Sequence, residues 1–218
     1  MLKHVSKIAA ISILLFVFQQ AHAALVTSGS VYLKAEPGSW VGGGIGSDEV
    51  IWTHGIEGLF SITGNFDKGA SVTFDDGNFW SFDFAAPTFD PINNTNDGNR
   101  LEVAFYDNAT RYPFNAPTRP GMNFSVNGRG NNTLGAWFDV REITYGSNDD
   151  EVLSLAVDFR QFDESEEMLG PSTFGSLRIN SSIALNLTGQ PVPIPAAAWL
   201  FASGLLGLIG IARKRAAH

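Results

Sequence analysis

Apolar and polar residues alternate with period two along most of the middle of this chain, the pattern of half-buried β-strands. In 25–34, Val31 and Leu33 fall on one face and Ser30, Tyr32 and Lys34 on the other. Glu36-Pro37-Gly38 ends that strand, because proline followed by glycine favours a turn. Short strands are expected at 50–54 and 59–63. Residues 70–74 and 79–84 read as a hairpin closed by Asp75-Asp76-Gly77-Asn78, with Asp-Gly as the turn. Trp80, Phe82 and Phe84 then share the core face, and Phe79, Ser81 and Asp83 face outward. A polar loop at 87–99 leads to a strand in which Leu101, Val103 and Phe105 alternate. A proline-broken segment at 111–121, a brief strand at 122–127 and a turn at 128–132 follow. Two long strands, 134–145 and 152–162, pair with each other; in the second, Leu153, Leu155, Val157 and Phe159 point one way. Leu177, Ile179, Ser181, Ile183, Leu185 and Leu187 alternate in a last strand. About ten strands at close intervals, with no convincing helix between them, predict one all-β domain. A single β-sandwich or jelly roll is the expected architecture, with a closed barrel as the alternative.

The two ends break this pattern. Lys3 and Lys7 precede an apolar run at 8–18, and Ala21-His22-Ala23 follows. That is the order of a signal peptide, with cleavage directed by Ala21 and Ala23 and the mature chain starting at Ala24. At the other end, Pro191, Pro193 and Pro195 interrupt any preceding structure. The stretch 196–212, which includes Ala196, Trp199, Leu205, Gly207 and Ala212, carries no charge, and Arg213, Lys214 and Arg215 close it. A spanning helix needs roughly 17–25 apolar residues, so this run is at the short end of a transmembrane helix. The basic cluster would stay on the cytoplasmic side. The expected organisation is a signal peptide at 1–23, an exported domain at 24–190, and a C-terminal membrane tail at 191–218.

The order of Pro-X-Pro, apolar helix and basic cluster resembles the PEP-CTERM sorting tail. Val192-Pro193-Ile194-Pro195 stands at its proline motif, with Ile194 where the name-giving glutamate would be. The resemblance implies recognition by an exosortase, a membrane processing enzyme of bacteria that make extracellular polysaccharide. It also implies that the tail is a processing signal.

Within the exported part, a second set of segments resembles an uncharacterised family of exported bacterial domains. These are Ser30-Val-Tyr-Leu-Lys-Ala-Glu-Pro-Gly38, Gly42-Gly-Gly44, Trp80-Ser-Phe-Asp-Phe-Ala-Ala-Pro87, Tyr112-Pro-Phe114, Gly128-Arg-Gly130, Asn132-Thr-Leu134 and Phe174-Gly-Ser-Leu-Arg-Ile-Asn-Ser181. The family's form has Cys where Asn131 stands and His-Cys where Phe162-Asp163 stand. The resemblance implies a disulfide that this chain lacks, with packing around Trp137 and Phe162 expected in its place.

Charge and composition narrow the chemistry. All 22 acids but only nine of the 14 Lys and Arg lie in 24–190, a formal charge of −13 for that segment. Such a surface disfavours nucleic acid and anionic lipid as partners, because both are polyanions. It suits neutral glycans, divalent cations or simple solubility. The chain has no cysteine, and His54 is the one histidine of the domain, so multi-histidine and cysteine zinc sites are excluded. No Gly-x-Ser-x-Gly elbow accompanies His54, which reads as a strand-end histidine. Glu36, Glu49, Glu57, Glu102 and Glu142 could supply a glycosidase pair by residue type, yet no Glu-x-Asp-x-Glu run brings two together. Asn93, Thr95, Asp97 and Gly98 echo an EF-hand start, but Ala104 occupies the twelfth position where a bidentate Glu belongs. The sequence therefore assigns no catalytic or metal-binding residue and no cofactor, with calcium the one open candidate. Gly42-Gly43-Gly44 is no phosphate loop, lacking the following Gly-Lys-Ser/Thr, and is expected to be a mobile loop. The expectation is a non-enzymatic surface or matrix protein, with Trp40, Trp52 or Trp137 available to stack on polysaccharide. A secreted carbohydrate-active enzyme and a calcium-stabilised module are the competing readings.

Overall fold

The computed structural model describes residues 23–191, apart from residue 47 and residues 97–98 and 149–150. The Ala21 side of the signal segment, the Val192–Pro195 motif, the apolar run and the basic cluster lie outside the described residues. Among the described residues, no helix is long and apolar enough to cross a membrane.

The fold is all-β. Its strands are β1 (Gly29–Ala35), β2 (Glu49–Thr53), β3 (Leu59–Gly64), β4 (Ala70–Asp75), β5 (Phe79–Ala85), β6 (Phe105–Arg111), β7 (Gly121–Val126), β8 (Leu134–Tyr145), β9 (Val152–Asp163) and β10 (Ser172–Ile179). They form one ten-stranded sheet in the order β2-β1-β10-β9-β8-β6-β7-β5-β4-β3. Neighbours are antiparallel except β6 and β7, which run parallel at Thr110↔Gly121 and Arg111↔Met122. The sheet turns on itself at β6. Its two end strands, β2 and β3, are consecutive in the chain, so the sheet is nearly a barrel.

The inner faces meet across an aromatic core. Phe82, Phe84 and Phe124 on β5 and β7 approach Phe159 on β9 at 5.7–6.0 Å between ring centres, and Phe84 meets Phe138 on β8 at 5.4 Å. Each of these rings is fully buried. Burial of a Phe side chain contributes about 1.5–3 kcal/mol, so this cluster carries much of the stability without a disulfide. Gly175 on β10 leaves the space that the Phe159 ring fills. Gln161, fully buried on β9, clamps the opposing β7: its Oε1 accepts from Phe124 N at 2.8 Å and its Nε2 donates to Phe124 O at 3.0 Å.

Several expected elements shift. The strand expected around Leu101–Phe105 lies later, at β6; Leu101 is buried outside any strand, while Val103 and Phe105 are exposed. The last strand ends at Ile179, and the alternation through Ser181, Ile183, Leu185 and Leu187 belongs to a strap. Leu153 does not join Leu155, Val157 and Phe159 in the core but is 39% exposed at the start of β9. Gly42-Gly43-Gly44 is no mobile loop: it opens a 3-10 turn, Gly42–Ile45, that is packed so tightly that a Cβ on Gly42 would collide with Thr173 and Ala35.

The strap, residues 181–190, lies across the outer face of β9 and β10. Arg178 and Asp158 form an ion pair there at 2.8 Å with side chains 4% and 1% exposed. Arg178 Nε and Nη2 also donate to Ala184 O. Asn186 N donates to Ser176 Oγ and Asn186 Nδ2 to Asp158 Oδ2. The ion pair therefore has enough hydrogen bonds to offset its removal from water, and it fastens the chain to the sheet just before Pro191.

Candidate functional site

The start of β8, the end of β9 and the start of β10 come together at one end of the sheet, through Leu134↔Asp163 and Phe162↔Ser172. Asp163 organises that end. Its Oδ2 accepts from Ser39 Oγ and from Trp40 N, both at 2.6 Å, and its Oδ1 accepts from Asn131 Nδ2 at 2.7 Å. One carboxylate thus ties the 39–45 segment and the 128–132 turn to β9. The pair Asn131–Asp163 occupies the two positions at which the family resemblance implied a disulfide. A charge-assisted hydrogen bond links them here, not packing between Trp137 and Phe162. Trp137 lies instead between Phe105 and Phe174, at 5.8 and 6.1 Å.

The anchored segment presents Trp40, 52% exposed. The Arg129 guanidinium lies 4.3 Å from its ring centre and donates to Trp40 O at 3.2 Å. Of the tryptophans expected to meet sugar, Trp52 is buried against Phe74 and Trp80, and Trp137 is half-buried. Trp40 alone among these three is open.

A groove of about 240 Å³ begins at Asn132, the residue after Asp163's partner Asn131, and its lining includes Arg111, Phe114, Arg119, Thr133 and Glu166. Phe114 is 73% exposed, and Arg111 covers its ring at 4.9 Å. Arg111 Nη1 donates to Asn132 O at 3.3 Å. Across the groove, Arg119 pairs with Glu166 at 3.1 Å and holds Asn108 O through Nε. Glu164 accepts from Asn132 N and from Thr133 N and Oγ1. Donation from Asn132 N–H, reinforced by Thr133 and the Arg111 charge against a small opposing effect of burial, holds the Glu164 carboxyl below the ordinary glutamate range. The result is a fixed surface of two exposed aromatics, guanidiniums and backbone-anchored polar groups. Such a surface can stack on sugar rings and hydrogen-bond their substituents.

A second open surface is the outer face of β3, β4, β5 and β7. Strand register places Ser61, Thr73, Ser81 and Ser125 in one row and Thr63, Ser71, Asp83 and Asn123 in the next. Asp83 accepts from Ser71 Oγ at 2.6 Å, Ser81 Oγ at 3.1 Å and Asn123 Nδ2 at 3.3 Å. Phe66, 75% exposed, leans on Tyr112 at 5.4 Å. Burial, with Asp67 and Asp83 in range, pushes the Tyr112 hydroxyl well above the usual tyrosine range. That hydroxyl is buried without a hydrogen-bond partner.

Most of the residues weighed for catalysis are engaged in local structure; Glu102 meets the Tyr106 hydroxyl through its backbone N and O. His54 Nδ1 accepts from Phe60 N at 3.0 Å. Glu36 accepts from Ser172 and lies 3.7 Å from Arg160; Glu49 accepts from Tyr32; Glu57 accepts from Thr53 N; Glu142 accepts from Ser154 and Ser181. Asp90, near the EF-hand-like stretch, accepts from Ile92 and Asn93. Among the described residues, no group of three or more His, Cys, Asp or Glu is placed to hold a metal ion. Arg129 and much of the groove fall in segments quoted for the family resemblance, Gly128-Arg-Gly130, Tyr112-Pro-Phe114 and Asn132-Thr-Leu134, which carried no ligand assignment; Trp40 was legible by residue type. No protein-family model, curated protein or solved structure matches this chain significantly.

Proposed function

We propose that this is an exported cell-surface or extracellular-matrix protein whose all-β, nearly barrel-shaped domain associates non-enzymatically with polysaccharide. In this reading the N-terminal segment directs export. The tail from Pro191 is a PEP-CTERM-like sorting signal that holds the protein in the membrane until an exosortase acts on it. The observation that carries the binding role is the exposed Trp40, held by Asp163 and flanked by Arg129, together with the Phe114 groove that begins at Asn132. Aromatic rings held by backbone bonds make such a surface without a large ordering cost on binding. The enzymatic reading has less support, because Glu36, Glu49, Glu57 and Glu142 are engaged in local structure.

Co-sedimentation of the full chain, in detergent, with the producing cell's extracellular polysaccharide tests this. Binding that survives moderate salt and falls sharply in Trp40→Ala/Phe114→Ala is the expected result. Absence of binding, or binding indifferent to both substitutions, overturns the proposed role.

A further inference from the structure

Five of the nine cations of the domain lie against acids, and Arg100 lies over the Tyr145 ring. Lys34, Arg119, Arg141, Arg160 and Arg178 each lie within 4 Å of a carboxylate. Arg111 and Arg129 make no such pair among the described residues. Each instead lies over an exposed aromatic ring and anchors one backbone carbonyl, Asn132 O for Arg111 and Trp40 O for Arg129. The Arg111 charge acts on Glu164, and three donors on Asn132 and Thr133 already occupy that carboxylate. In a segment of formal charge −13, two guanidiniums left without a carboxylate partner, both on exposed rings and at one end, are unexpected as mere surface.

We propose that these two arginine–aromatic pairs are subsites for sugars bearing a carboxylate, so that the polysaccharide recognised is one containing uronic acid. This rests on the polysaccharide-binding reading and names its ligand class. A sugar ring presents an apolar face to Phe114 or Trp40, while a carboxylate on the same ring takes the guanidinium fork with two parallel hydrogen bonds. Arginine is suited to this, since its planar donors match a carboxylate and its charge persists at any relevant pH. The acidic remainder of the domain repels a densely charged polyanion at long range. The ligand is therefore a chain in which uronates are spaced among neutral sugars, or a short stretch of them at an end.

The test compares trigalacturonate with its methyl ester, which keeps the rings and removes the charge, by titration calorimetry on the full chain in detergent. A charged hydrogen-bonded contact contributes about 1.5–3 kcal/mol, so the acid is expected to bind at least about tenfold more tightly than the ester. Arg111→Gln/Arg129→Gln should erase that preference, bringing the ratio of acid to ester affinity to about one whatever the affinity for the ester. Arg111→Lys, with charge but no fork, should recover only part of it. Equal affinity for acid and ester overturns the carboxylate assignment and leaves polysaccharide binding standing, as does a preference that survives in the double variant. Failure of both sugars to bind, together with failure to co-sediment with polysaccharide, overturns both readings. The acid–ester comparison needs no variant, so misfolding of a substituted chain does not blunt the test.

Discussion

Asp163 shows how much of this end depends on single side chains. It accepts from Ser39, Trp40 and Asn131, and so fixes two turns against β9. Asn131 is 1% exposed, and its amide donates to Asp163 at 2.7 Å. Asn131→Ala leaves that carboxylate oxygen without its donor, and the expected cost is about 1–3 kcal/mol in a urea unfolding curve. A change under about 0.5 kcal/mol, the range of an ordinary surface substitution, would show that Asp163 holds the end without it. The resemblance pointed to positions 131 and 163 as a place where the chain is joined. The nature of the join was not legible, since Asn and Asp are common turn residues whose partners depend on tertiary placement. The same limit applies to the tryptophans: Trp40 lies between Ser39 and Val41 and Trp52 between Ile51 and Thr53, a mixed setting that separates neither, and the stacking of β2 on Phe74 and Trp80 buries Trp52.

At the scale of elements, legibility followed the regularity of the pattern. The β4–β5 hairpin was readable because alternation runs unbroken up to clear turn residues; the β8–β9 pair was readable from its long apolar runs, although its register shifts between Val140 and Glu142 and Leu153 stays out of the core. β6 was not. Asn108 has φ +54° within it, and its pairing with β8 shifts register between Tyr106 and Ala109, so Phe105–Arg111 loses the period-two signature. β10 was read too long for the opposite reason. The strap after it keeps the alternation in sequence only: Ile183 and Leu187 are exposed, and Asn186 is buried where a strand would bury an apolar group. That strap depends on the buried Asp158–Arg178 pair. Removing one partner of a buried pair typically costs about 3–5 kcal/mol, and Arg178→Met is expected to fall in that range by chemical denaturation. Asp158→Leu/Arg178→Met, with no lone charge left, should recover a large part. A loss below about 1 kcal/mol in the single variant would mean that the strap is held mainly by other contacts.

For the whole molecule, the all-β class was legible from alternation, while the way the sheet closes was not. The turn of the sheet rests on the parallel contact between β6 and β7, which no local pattern announces. The proposed function joins this fold to the two ends of the chain. The strap leads the chain toward Pro191 along the outer face of β9 and β10, with Gly189 beside Phe174. The Arg178 clamp therefore lies between the core and any tail that pulls on it. The open surfaces compete as binding faces: the Trp40–Phe114 end, with rings and guanidiniums, and the Ser/Thr rows of β3, β4, β5 and β7, with one carboxylate and an unpartnered tyrosine hydroxyl.

The measurement that tests the account most directly is a map of backbone amide shifts in the full chain as fragments of the extracellular polysaccharide are added. The account predicts perturbations grouped at residues 39–44, 111–119, 129–134 and 163–168. Shifts confined to the Ser61–Ser125 and Thr63–Asn123 rows, or no shifts at saturating fragment, would contradict it.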